Sequence, residues 1–205
     1  MEQEQELQLE TVSTPIKTVT QEQVLQAALK LFAQKGYFNT SLPEIKDAAG
    51  ITTANGLTQF FKTKQAIAQA LREHILDSLS ISIDDIRRRN RKASEQLREI
   101  VDLLFKLTDD APEVIQFLLF MRPEEFLPEA PPLLDTPAFT KIKRIMQNGI
   151  KEGEIRSIDP LLAFTYFFGV IQFTLSMVLN QGLPKNADSY QSQAWLAAWN
   201  SIVKK

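Results

Sequence analysis

Helix-start and helix-stop signals crowd the stretch from Gln23 to Ala70 so closely that only short helices fit between them. Thr20 stands three residues before Gln23, a capping-box pair in which each side chain satisfies a backbone N–H of the other. Val24, Ala28, Leu31 and Phe32 follow at helical spacing, and Gly36 closes the segment. Ser41 and Glu44 repeat the box, with Pro43 in the first turn, where its missing N–H costs little. Leu42, Ile45 and Ala49 face inward, Gly50 ends this helix, and Ile51 plugs the turn. Thr52 or Thr53 then caps a predicted third helix to about Phe61, and Thr63 caps a fourth from Lys64 to about Ser82. Helices this short are marginal alone, so they must pack as one unit. Three short helices and two tight turns are the layout of a helix-turn-helix head.

Charge is distributed to match. The chain has 205 residues and a net charge of −2, which conceals a split. Residues 1–16 hold four Glu and no Lys or Arg, and read as a disordered acidic leader rather than a targeting segment. Residues 17–75 hold seven Lys/Arg against four Asp/Glu. A mildly positive head predicts salt-sensitive affinity resting on few phosphate contacts. No cysteine is present, which excludes disulfides and thiolate metal sites.

The motifs A-x-x-L-F-x-x-x-G-Y (Ala28–Tyr37), T-S-x-x-x-I (Thr40–Ile45), A-G-I (Ala49–Ile51) and F-x-T-K (Phe61–Lys64) occur in this order. Together they resemble the DNA-binding head of the TetR (tetracycline-repressor-like) family. The chain departs from the family pattern in carrying one extra residue around Thr52–Thr53 and Thr58 where a Tyr is usual. In the family that Tyr donates to a phosphate; Thr donates over a shorter reach.

In a helix-turn-helix the third helix lies in the major groove. Thr53, Asn55, Thr58 and Gln59 carry the hydrogen-bonding tips that could read bases there. Lys62 and Lys64 fall where a phosphate would lie, Lys46 projects from the second helix, and Lys17 lies in the arm before the first. Thr40 and Ser41, with the amides opening the second helix, form a further phosphate candidate. Thr20, Ser41 and Thr63 also read simply as caps, and Asn55-Gly56 also fits an ordinary turn.

The rest reads as helices without a strand pattern. Ser94 is the expected cap of a helix carrying Leu97, Ile100, Val101, Leu104 and Phe105 on one stripe. Pro123 to Pro137 holds five prolines and is expected to be a loop. Thr136-Pro137 and Asp159-Pro160 open two further helices, and a last one spans about Ser189 to Val203. Arg87 to Lys92 is a basic run, read as a solvated helix end. His74 stands alone and reads as a surface or packing residue.

Pro160 to Pro184 contains no charged residue and is long enough for a membrane span. Its stripe of Thr165, Gly169, Gln172 and Ser176 favours a helix buried by its own subunit and a partner, with no membrane. The resemblance implies a homodimer through the last two helices, and two-fold symmetry would match double-stranded DNA carrying a palindromic operator.

A small-molecule effector is plausible in an apolar cavity lined by Phe105, Phe117, Phe120, Met121, Phe126, Met146, Phe164, Phe167 and Phe168. Gln116, Tyr166 and Gln172 would serve as polar handles there. The same residues could equally fill the core. No nucleophile elbow, phosphate-binding Gly loop or His–carboxylate metal spacing occurs, so neither an enzyme nor a cofactor or metal is expected.

The expected architecture is all-α: an N-terminal three-helix helix-turn-helix head (17–65) and a C-terminal helical dimerisation and ligand-binding body (66–205). The expected function is that of a cytoplasmic, sequence-specific DNA-binding regulator, a repressor released from its operator by an apolar or aromatic effector. The alternative from another class is a dimeric helical protein-interaction module with a degenerate head.

Overall fold

The capping boxes form as the sequence dictates. In the computed structural model, which describes residues 19–53 and 55–205, α1 spans Gln21–Lys35 and α2 spans Leu42–Ala48. Thr20 Oγ1 accepts from Gln23 N at 3.3 Å, and Gln23 Oε1 accepts from Thr20 N at 2.9 Å. Ser41 and Glu44 repeat the exchange at the start of α2. Gly36 (φ 82°) and Gly50 (φ 73°) take the left-handed backbone that lets each helix stop sharply.

The third predicted helix does not form among the described residues. Asn55 to Phe60 run as successive turns: Gly56 N donates to Thr53 O (3.2 Å), and Phe60 N and Phe61 N both donate to Leu57 O (3.0 and 2.9 Å). Thr, Asn and Gly all resist helix, and here they sit together. Gly56 is buried so tightly that a Cβ would collide with Ile51 and Thr53. Leu57 and Phe61 still reach the core, so the turn is anchored at both ends.

From Thr63, whose hydroxyl accepts from Ala66 N at 3.0 Å, α3 runs over Lys64–Arg89. It is longer than the periodicity suggested, and it takes in the start of the basic run. Arg87, Arg88 and Arg89 lie at its C-terminal end, paired with Asp84, Asp85 and Glu99. His74 is exposed on it.

The body continues with α4 (Ala93–Asp110), the short α5 (Pro112–Ile115) running into a π-helical turn (Gln116–Phe120), α6 (Pro137–Glu152), α7 (Pro160–Leu179) and α8 (Asp188–Ile202). Ser94 is not the cap expected of it. Instead Glu154, from the loop after α6, accepts from Ala93 N (2.7 Å), Ser94 N (3.1 Å) and Ser94 Oγ. Burial opposes ionisation of Glu154, but these hydrogen bonds outweigh it and hold the carboxyl below its usual range.

Leu97, Ile100, Val101, Leu104 and Phe105 form the buried stripe of α4. Each contributes about 1.5–3 kcal/mol relative to an exposed position. Asp159 caps α7 by accepting from Leu161 N and Leu162 N. Helix α7 is long and apolar enough to cross a membrane by length and composition. One side of it packs inward through Phe164, Phe167, Phe168, Ile171 and Leu175. Helix α8 lies along it, with Trp195 edge-on to Phe167 and stacked on Trp199.

Candidate nucleic-acid interface and effector cavity

The head presents a polar face built from the α2 end and the turn after it. Thr53, Asn55, Thr58, Gln59 and Lys62 are exposed, Ser41 is exposed at the α2 cap, and Lys46 is half-exposed. Neither Lys46 nor Lys62 forms an ion pair with a described residue. Thr58 Oγ1 is turned back onto the Asn55 carbonyl at 2.8 Å. Lys17 lies outside the described residues.

Two candidates for phosphate contact have other work. Thr40 is 1% exposed, and its hydroxyl donates to Gly36 O at 2.9 Å. Lys64 Nζ donates to Tyr37 O (2.7 Å) and Thr40 O (2.6 Å) and sits 4.2 Å from the Tyr37 ring centroid. Desolvation lowers the Lys64 pKa from its ordinary value. Lys64 therefore ties the start of α3 to the α1–α2 loop. Across the same loop, Lys35 Nζ at the end of α1 donates to Glu44 Oε1 of α2 at 2.6 Å. That bond, with those from the Ser41 amide and hydroxyl, holds the Glu44 carboxyl at about 2.

A cavity of about 590 Å³ opens between α3, the π-helical turn and the proline-rich loop. Of the residues expected to line it, Phe117, Met121 and Phe126 do. Phe105, Met146, Phe164, Phe167 and Phe168 are instead buried in the core, where Phe164 and Phe168 stack 5.0 Å apart. Gln116 and Phe120 are half-buried beside the cavity lining, and Tyr166 is exposed. Gln172 Nε2 donates to Leu119 O at 3.1 Å, so it braces the π-helical turn rather than facing the cavity.

The other wall is the loop itself, through Pro128, Pro131, Pro132 and Leu133. Sequence reasoning missed both this wall and Arg72. The signal for Arg72 was present: it interrupts the buried stripe of Ala68, Leu71, Ile75 and Leu76. Folding of the proline-rich loop over α3 has no such local signal.

Cavity and head touch directly. Phe126 stacks on Tyr37 with centroids 4.3 Å apart, and Phe117 stacks on Phe32 of α1 at 6.1 Å.

The family profile described as "Bacterial regulatory proteins, tetR family" matches residues 24–71, which are the residues that build this head. The head is therefore similar to the DNA-binding head of TetR-family regulators. The HTH-type transcriptional regulator RutR of Escherichia coli (strain K12) is 26% identical over 143 residues. That match takes in 67% of this chain and 65% of the relative, so the chain spans less than two thirds of the length of these curated relatives.

The fold recurs in solved structures. A TetR family transcription regulator from Marinobacter aquaeolei VT8 superposes with a TM-score of 0.71 at 19% identity, over 90% of this chain and 96% of that one. FadR from Bacillus subtilis, in complex with stearoyl-CoA, superposes with a TM-score of 0.74 at 19% identity, over 89% of this chain and 100% of that one. Within the matched residues, Asn55 to Phe60 are built of turns.

Proposed function

We propose that the chain is a cytoplasmic, sequence-specific DNA-binding transcriptional regulator, a homodimeric repressor whose grip on a palindromic operator is released by an effector in the body. The observation that carries this reading is the match of the family profile to the capped head, with a face that offers Asn55, Gln59, Lys46 and Lys62 to solvent. Asn and Gln suit adenine edges, and the two lysines suit phosphates. Ser41 and Thr53 complete the proposed contact surface, with Lys17 a candidate from the preceding arm. Thr40 and Lys64 act behind it as positioning residues.

The dimer is proposed to form through α7 and α8. Leu162, Tyr166 and Phe173 stand exposed along one side of α7, and Leu196 is exposed on α8. Among them Gly169 has open space where a Cβ would be. Large apolar side chains grouped in this way mark an interaction surface. The effector is proposed to occupy the cavity against Phe117, Met121 and Phe126; the structural neighbour FadR was solved in complex with stearoyl-CoA.

Binding of a palindromic duplex by variants separates the roles. Lys62→Ala should weaken binding to all sequences and reduce the salt slope by about one. Asn55→Ala should relax sequence preference, with a loss of about 1–3 kcal/mol of discrimination. The turn-built third segment favours a second reading, in which the head is degenerate and the dimer binds a protein. If neither variant alters DNA binding, that second reading stands.

A further inference from the structure

Arg72 is 7% exposed, yet no carboxylate of a described residue lies within 4 Å of its nitrogens. Its one hydrogen bond to a described residue runs from Nη2 to the Pro131 carbonyl at 2.7 Å. Guanidinium carries five N–H donors in a planar fork and stays charged. A guanidinium this enclosed and with one neutral partner is partly desolvated, and an anion on its free donors would offset that cost. Among the described residues no sealed side-chain nitrogen lacks a partner, so any Arg72 nitrogen without a hydrogen bond keeps some solvent contact.

Arg72 lines both the 590 Å³ cavity and a smaller one of about 270 Å³ on its other side. Charge separates the two. Glu73, Asp77 and Glu129 line the smaller one and repel anions. The larger has Arg122 beside Glu124, and its walls are Phe117, Leu118, Met121 and Phe126. Its volume is that of a small-molecule site.

We propose that the larger cavity binds an amphipathic organic acid, with the carboxylate on the Arg72 fork and the apolar body against Phe117, Met121 and Phe126. This rests on reading the cavity as the effector site. Arg72 also lies on α3, the helix that leaves the head, so an acid pulling the guanidinium off Pro131 would act on the element joining head to body.

The test is calorimetric titration of the full chain without DNA, so it is independent of whether the head binds an operator. The probes are decanoate and 3-phenylpropanoate, each against its neutral alcohol, decan-1-ol and 3-phenylpropan-1-ol. At least one acid should bind saturably, one per chain, and more tightly than its alcohol. Arg72→Gln should cost that acid about 10- to 100-fold while leaving its alcohol unchanged. Met121→Trp, which fills the cavity from another lining position and leaves Arg72 in place, should abolish binding of both. It covers the case in which Arg72→Gln fails to fold. Absence of saturable binding by either acid, equal affinity for acid and alcohol, or tighter binding of decyl phosphate than decanoate would each overturn the assignment.

Discussion

Single side chains in the head divide into those that face outward and those that hold the frame. Lys64 belongs to the second group, with its ammonium on two backbone carbonyls and a ring face. Lys64→Met should therefore destabilise the chain by about 1–3 kcal/mol, read as a fall in Tm, because two carbonyls lose a charged donor. Its DNA affinity should fall without a change in salt slope, the opposite of Lys62→Ala. Glu44 supplies a pH dependence. Its carboxyl is lowered from 4.5 to about 2, so the contribution to stability is complete above pH 4.5 and is lost as pH falls toward 2. An NMR titration of Glu44 should show the low midpoint, and Glu44→Gln should flatten stability against pH in that window. At this scale the caps were legible in sequence, because Thr20, Ser41 and Thr63 act on neighbours three residues away. The Lys64 contacts were not, since they cross 24 and 27 residues.

Elements were legible where a single period dominates. The stripe on α4 and the uncharged run of α7 both became helices near their expected bounds. The residues from Asn55 to Phe60 carried two signals at once, a helix-turn-helix register and an Asn-Gly turn, and the turn prevailed. Gly56→Ala should cost about 1–3 kcal/mol by overpacking against Ile51, instead of the gain expected of Ala in a helix. A thermal melt distinguishes the two by sign. On α7, Phe173 is 69% exposed on the proposed dimer face. Phe173→Glu should place like charges across a two-fold seam and convert dimer to monomer in analytical ultracentrifugation. An unchanged sedimentation coefficient would move the interface elsewhere.

For the whole molecule the claim is coupling between cavity and head. Phe126 lines the cavity and stacks on Tyr37, and Tyr37 in turn receives Lys64 at the start of α3. A ligand that shifts Phe126 moves a ring on which the head is built. Coupling requires unequal affinity of the ligand for the two arrangements, and typical values are about 1–3 kcal/mol. Tyr37→Leu should leave effector affinity near its starting value and shrink the effector-dependent change in DNA affinity. This chain of contacts was not legible beforehand. Phe117, Met121 and Phe126 were recognisable as apolar, but nothing local in the sequence distinguishes them from Phe105 or Phe164, which fill the core. Which aromatic faces a void is decided by the path of the proline-rich loop.

We propose that a head built on turns over Asn55–Phe60 instead of a regular third helix still reads DNA as a symmetric dimer. Selection of bound sequences from a random duplex pool, with the purified full chain at moderate salt, tests it most directly. An enriched palindrome with two half-sites is the predicted result. Recovery of no motif by protein shown to be folded and dimeric would contradict the account.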